Sequence, residues 1–211
     1  MACGRRGRYA FVMSNAPKRG TATLADLLAV PEAERFHEII DGELVRKAAP
    51  SFRHGAAQGG IVRAIGPYHR RPSPPGPGGW WFATEVEIAF ESEPAQIYRP
   101  GVAGWRRERL PELPDEIPVT VRPDWVCEVL SRSNKRNDTI RKRRVYHRAR
   151  VGHSWILDPS EGTLEVFRWH EDGYLQVLTA ERGDRVRAEP FDAIELDVGV
   201  LFGDDEPADG A

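Results

Sequence analysis

The stretch Pro123-Asp-Trp-Val-Cys-Glu-Val-Leu-Ser131 decides how this chain folds. Trp125 to Leu130 is almost wholly apolar, the pattern of a central strand covered on both faces. Its one charged residue is Glu128. An ionised carboxylate in such company is unfavourable unless it is paired or holds a cation. Downstream, Ser131 to Asn137 reads as a polar turn. Asp138 can cap a basic helix that runs to about Arg148, and Ser154 to Leu157 reads as a further strand.

Working outward, Thr23 or Asp26 can cap a short helix through Leu27 and Leu28 that Pro31 ends. Phe36 to Val45 predicts a hairpin, with Asp41-Gly42 as its turn. A second helix is expected from Phe52 to His69, with Ala57, Ile61, Ala64 and Ile65 at helical spacing. The Pro/Gly run from Arg70 to Gly79 is a loop. Trp80 to Phe90 predicts one strand, and Ile97 to Ala103 begins another. Pro111, Pro114 and Pro118 mark a surface loop. Strands are expected over Thr163–Trp169 and Tyr174–Thr179. The order of helices and strands predicts an α/β or α+β domain with a mixed sheet.

The 211 residues suit one domain with a real core. A net charge of -2 makes any basic surface a local one. Cys3 and Cys127, far apart and without CxxC spacing, form neither a disulfide framework nor a zinc site. No apolar run approaches the roughly 18 residues of a membrane helix, and Tyr9 to Met13 is too short for a signal-peptide core. A cytoplasmic protein with no membrane partner is expected. Residues 1 to 20 read as a disordered arm or a misassigned start, with Met13 as an alternative first residue. The domain spans 21–202, and the acidic tail 203–211 is expected to be disordered.

Glu128 is thus either a metal ligand or the partner of an arginine. Asp124 lies four residues earlier, on the same strand face but about 13 Å away, and is better placed to anchor the strand entry. Asp138, Lys142 and Tyr146 share one helical stripe, while Arg141, Arg144 and Arg148 form another. Lys142 can orient a water or neutralise developing charge, or simply pair with Asp138. From Arg132 to Arg150 the chain holds nine basic residues and one acidic residue. Of these, Arg136, Arg141, Arg144 and Arg148 are candidate nucleic-acid contacts; the alternative is a solvated charged face. The six histidines lack zinc spacing, and no phosphate-binding glycine loop or nucleophile elbow is present.

Several segments, taken in order, resemble one bacterial family. They are Glu38-Ile-Ile-Asp-Gly-Glu43-Leu-Val, His54 at the head of a helix, Gly-Gly-Trp-Trp before a strand, and Ala103-Gly-Trp-Arg-Arg-Glu-Arg-Leu-Pro111. Pro123 to Ser131, then Asp138, Lys142 and Tyr146, then Gly152-His-Ser-Trp-Ile-Leu-Asp-Pro159 and Leu164-Glu-Val-Phe complete the set. Together they resemble the "putative restriction endonuclease" family within the PD-(D/E)XK nuclease superfamily, over roughly Thr21 to Phe202. The resemblance implies a restriction-endonuclease-like core, a mixed central sheet flanked by helices with extra N- and C-terminal strands. It also implies a Mg²⁺ or Mn²⁺ site, DNA as partner and a homodimer.

In the family pattern, an aspartate of a Pro-Asp dipeptide and the glutamate of a Glu-x-Leu strand hold the metal, and a lysine has moved to the following helix. Glu128 and Lys142 match the glutamate and lysine as catalytic residues. The aspartate position falls on Gly101, which has no side chain to offer. Glu85 or Glu87 on the preceding strand are possible substitutes, and Glu43, His54, Asp124 and Tyr146 are expected to support the site. The expected function is metal-dependent DNA hydrolysis, impaired at Gly101. The alternatives are an inactive nuclease fold serving as a DNA-binding or scaffolding module, and a structural protein whose Glu128 only pairs.

Overall fold

In a computed structural model, residues 20–71, 77–131 and 135–205 are described. The sequence expectations for the N-terminal arm, for most of the acidic tail and for the centre of the 70–79 loop fall outside these. Helix α1 (Leu24–Leu28) opens with Thr23 and Asp26 capping each other reciprocally. Strands β1 (His37–Ile40) and β2 (Glu43–Arg46) form the expected hairpin. Its turn residues Asp41 and Gly42 both take positive φ, 53° and 74°, as a two-residue hairpin of this twist requires.

Helix α2 (Phe52–Ala64) is capped by Ser51, whose hydroxyl accepts from the His54 amide. It is shorter than expected: Pro67 cannot continue an α-helix, and Gly66–His69 tightens into a 3-10 turn.

The segments expected to be single strands each divide in two. Trp80 to Phe90 becomes β3 (Trp80–Thr84) and β4 (Ile88–Phe90). Ile97 to Ala103 falls across β5 (Gln96–Tyr98) and β6 (Val102–Arg106). The breaks sit side by side. Glu85 adopts a φ of 54° and its amide donates to the Pro100 carbonyl. At this corner both chains leave one sheet and enter another.

Strand β7 (Trp125–Val129) is buried throughout. A π-helical segment, Asn137–Lys142, then runs into α3 (Arg143–Arg148). Asp138 is therefore no cap: it lies inside the helix and is buried. Strands β8 (His153–Asp158), β9 (Thr163–Arg168) and β10 (Leu175–Glu181) follow. A small ribbon, β11 (Arg185–Val186) with β12 (Leu196–Asp197), and a 3-10 turn at Val200–Phe202 come last.

The larger sheet has the order β10-β9-β8-β7-β6-β3, and the smaller has β2-β1-β5-β4. Among the strand pairs of the described residues only β7 and β8 are parallel, and α3 lies in the crossover between them. Alternation along β7 then sorts its side chains. Trp125, Cys127 and Val129 pack with Ala57 and Ile61 of α2 and with Ile65, its C-cap. Val126 points the other way, against Val145 and Tyr146 of α3 and Ile40 and Tyr98 of the small sheet. Glu128 shares the face of Val126, which aims it between the two sheets at α3. No helix of the described residues is long and apolar enough to cross a membrane.

Candidate active site

Glu128 meets three groups on that face. The Tyr146 hydroxyl donates to Glu128 Oε1 at 2.5 Å, and Lys142 Nζ lies 3.5 Å from the same oxygen. Lys142 is 1% exposed and is also held by Asp138 at 2.9 Å and Glu38 at 2.7 Å. Three carboxylates thus surround one ammonium, which leaves two negative charges uncompensated if all are ionised. Burial opposes the Lys142 charge, but Asp138, Glu128 and Glu38 together hold its pKa well above the ordinary value. Burial pushes the Glu128 carboxyl up to about 8, against the pull of Lys142, and raises Asp138 in the same direction. A cation bound there would take the place of the protons that burial keeps on these carboxyls.

The helix winding makes this cluster possible. In the wide π turn, Asp138 and Lys142 come into register on the inward face, and Tyr146 follows on the same stripe. Glu38 was not among the residues singled out from sequence, although the signal was there. Like Glu128, it is a lone carboxylate in an apolar strand, and it shares the inward face of β1 with Ile40. Its Oε1 also accepts from the Arg99 amide at 2.7 Å.

A cavity of about 240 Å³ opens above the cluster, lined among others by Glu128, Asp138, Glu85, Lys47, His54 and Gly101. Strand register explains why Gly101 belongs there. The β6–β7 ladder ends with Val102 opposite Cys127, so Gly101 lies just past the strand's start, and a Cβ there would meet Cys127 and Val129 at the cavity wall.

The structure separates the two substitute candidates. Glu85 lines the cavity, where Lys47 Nζ binds its Oε2 at 2.6 Å and Gln58 Nε2 binds its Oε1 at 2.7 Å. Glu87 does not line it, and its Oε2 is buried without a hydrogen-bond partner. His54 stands 4.0 Å from Glu85; burial first, then Lys47, lowers its pKa, so its ring is neutral near pH 7.

The other expected residues lie elsewhere. Asp124 ties strand ends together, accepting from the Arg106 amide at 2.8 Å and pairing with Arg109 at 2.9 Å. Arg141 is not a free cation: it pairs with Asp41 at 2.9 Å and with Glu43 at 3.2 Å, fastening the hairpin turn to the helix. Glu43 thereby supports α3 rather than the cavity. Arg144 and Arg148 line a separate hollow of about 360 Å³ with Arg143 and His147, and no carboxylate lines it. Arg136 is exposed.

The cavity offers a cation the carboxyl groups of Glu128, Asp138 and Glu85. Mg²⁺ is commonly held by one or two carboxylates, with water and substrate phosphate completing the shell. Glu128 and Glu85 would be those ligands, and Glu85 is shared with Lys47. Among the described residues, the set of three acidic or histidine ligands close enough to converge is His170, Glu171 and Asp172, and none of them lines the cavity.

A mixed sheet with α2 on one face and α3 on the other is a restriction-endonuclease-like fold. The chain belongs to the Uma2 family, described as "Putative restriction endonuclease", whose pattern matches residues 24–199. It is similar in fold to a crystal structure from Anabaena variabilis described as "a putative nuclease belonging to DUF820". That likeness has a TM-score of 0.66 at 24% identity, over 85% of this chain and 97% of the other. No curated protein matches the chain.

Proposed function

We propose that the protein is a divalent-metal-dependent DNA endonuclease whose metal centre is weakened by the glycine at position 101. The observation that carries this reading is the place of Glu128, buried beside Lys142 and facing the cavity that Gly101 also lines. Glu128 would hold Mg²⁺ or Mn²⁺, with Glu85 as second ligand. When bound, such an ion polarises the scissile phosphate and lowers the pKa of a water. Lys142 sets positive charge at the floor of the site, and its three carboxylates fix it there without a reorganisation step. Arg144 and Arg148, on the outer side of α3, would contact backbone phosphates and make binding salt-dependent. DNA would be met in the cytoplasm, and cutting both strands of a duplex would call for a homodimer.

Cleavage of supercoiled plasmid with Mg²⁺ and with Mn²⁺ tests this in wild type, Glu128→Ala and Gly101→Asp. Nicking by wild type that Glu128→Ala abolishes supports a working centre. Activity confined to Gly101→Asp marks a nuclease disabled at one residue. A second reading, DNA binding without cleavage, rests on Gly101 itself. Silence of all three proteins, with salt-sensitive DNA binding kept in Glu128→Ala, favours it.

A further inference from the structure

We propose that Arg99 grips a DNA phosphate inside the cavity and, on the nuclease reading, that this is the phosphate to be cut. The inference deepens that reading and rests on it. A phosphate entering the cavity faces Glu85, Glu128 and Asp138. It needs an opposing cation on the same wall, and the two lysines are already matched. Lys142 does not line the cavity, and its ammonium is surrounded by Glu38, Asp138 and Glu128. Lys47 does line it, but is paired with Glu85 at 2.6 Å. Arg99 is the remaining cation on the lining, and its guanidinium meets no carboxylate among the described residues.

The backbone holds this guanidinium in place. Arg99 lies between β5 and β6, at the corner where the two sheets part. Its Nε donates to the Glu85 carbonyl at 3.1 Å, and its Nη1 donates to the Arg35 carbonyl at 2.8 Å. Its own amide donates to Glu38 Oε1 at 2.7 Å, the oxygen that also binds Lys142. The guanidinium lies 5.7 Å from the ring centroid of Phe36, which lines the cavity as well. Neutral carbonyls and a ring orient the group but leave its charge uncancelled. A guanidinium carries five N–H donors, and here Nη2 and one hydrogen of Nη1 have no partner among the described residues. That pair of donors matches two oxygens of one phosphate. A cation fixed in this way acts most strongly where negative charge develops on the phosphate oxygens during cleavage.

Two readouts test it. The first is binding of duplex DNA in EDTA, where nothing is cut, measured as log affinity against log salt. For a labelled duplex of about 20 base pairs, Arg99→Gln is expected to weaken binding by about fivefold or more and to lower the salt slope by about 0.9, as for one phosphate contact, while Arg99→Lys keeps the slope. The second is plasmid nicking with Mn²⁺ in whichever of wild type and Gly101→Asp cuts. There Arg99→Gln is expected to lose about a hundredfold in kcat, and Arg99→Lys, which keeps the charge without the fork, about tenfold. An unchanged salt slope in Arg99→Gln overturns the proposal; if the melting temperature falls at the same time, Arg99 is a clasp of the corner alone. Plasmid cut as fast by Arg99→Gln as by its parent also overturns it and leaves the nuclease reading standing. If neither parent cuts, the nuclease reading fails by itself, and a slope lowered by Arg99→Gln but not by Arg99→Lys still supports a DNA phosphate at Arg99.

Discussion

Lys142 Nζ lies 2.7 Å from Glu38 Oε1, and both side chains are almost sealed from water. This contact joins the small sheet to the helix of the large sheet at the floor of the candidate active site. A buried charge that loses its partner is far worse than a pair that was never there.

Lys142→Met should therefore leave three buried carboxylates facing one another. The expected loss is about 3–5 kcal/mol of unfolding free energy, read by urea denaturation at neutral pH. Part of it should return at about pH 5, because burial has already raised Glu128 and Asp138 and loss of the Lys142 charge raises them further, so both carboxyls are then neutral. A variant as stable as wild type at both pH values would show that Lys142 is not the keystone of the cluster.

Gly101→Asp is expected to act in opposite directions on stability and on metal binding. A Cβ at 101 would stand 3.2 Å from the Cys127 carbonyl oxygen and 3.2 Å from Val129 Cγ2, so both must yield slightly. The overpacking should cost about 1–3 kcal/mol. The new carboxylate, on the cavity that Glu128 also lines, should raise Mn²⁺ affinity by about tenfold or more in calorimetric titration. Unchanged titrations would count against the assignment of position 101.

Stability without metal should fall as pH rises from about 7 toward 9. Glu128 takes its proton near pH 8 in the folded protein, against an ordinary value of 4.5. Between those values the folded state binds more protons than the unfolded chain, so unfolding becomes easier as pH rises. His54 and His153 work oppositely, because their lowered pKa values remove stability as pH falls through 6.5. Above about pH 7 both are neutral, and the raised Asp138 and Cys127 push in the same direction as Glu128. Melting temperatures in EDTA, compared with Glu128→Gln, check this: the variant should show the flatter profile.

Arg141→Ala should loosen the hairpin rather than the grip on DNA. Its partners Asp41 and Glu43 are partly exposed, so the loss should be about 1 kcal/mol. Filter binding at two salt concentrations should show near-normal affinity for Arg141→Ala and weakened, less salt-dependent binding for Arg144→Ala/Arg148→Ala. The reverse ranking would return Arg141 to the DNA-contacting surface.

Much of the scaffold was legible residue by residue. The Thr23 cap, the Asp41-Gly42 turn, the buried run from Trp125 and the stripe Asp138–Lys142–Tyr146 are local patterns of two to nine residues, and backbone geometry alone enforces them. The breaks at Glu85 and Pro100 were not legible. Each half-strand has an ordinary strand composition, and the break arises only because two chains turn the corner between sheets together.

The sequence by itself determined that the chain carries its family's ordered motifs, because motif order needs no coordinates. Tertiary structure alone decided what surrounds Glu128. It brought Glu38 in from the other sheet, placed Lys142 among three carboxylates and withdrew Arg141 into the hairpin. It also left Glu85 on the cavity while excluding Glu87. These are long-range electrostatic contacts, set by which faces the two sheets turn toward α3. Local periodicity fixes the face a residue takes on its own element but not the element it will meet there.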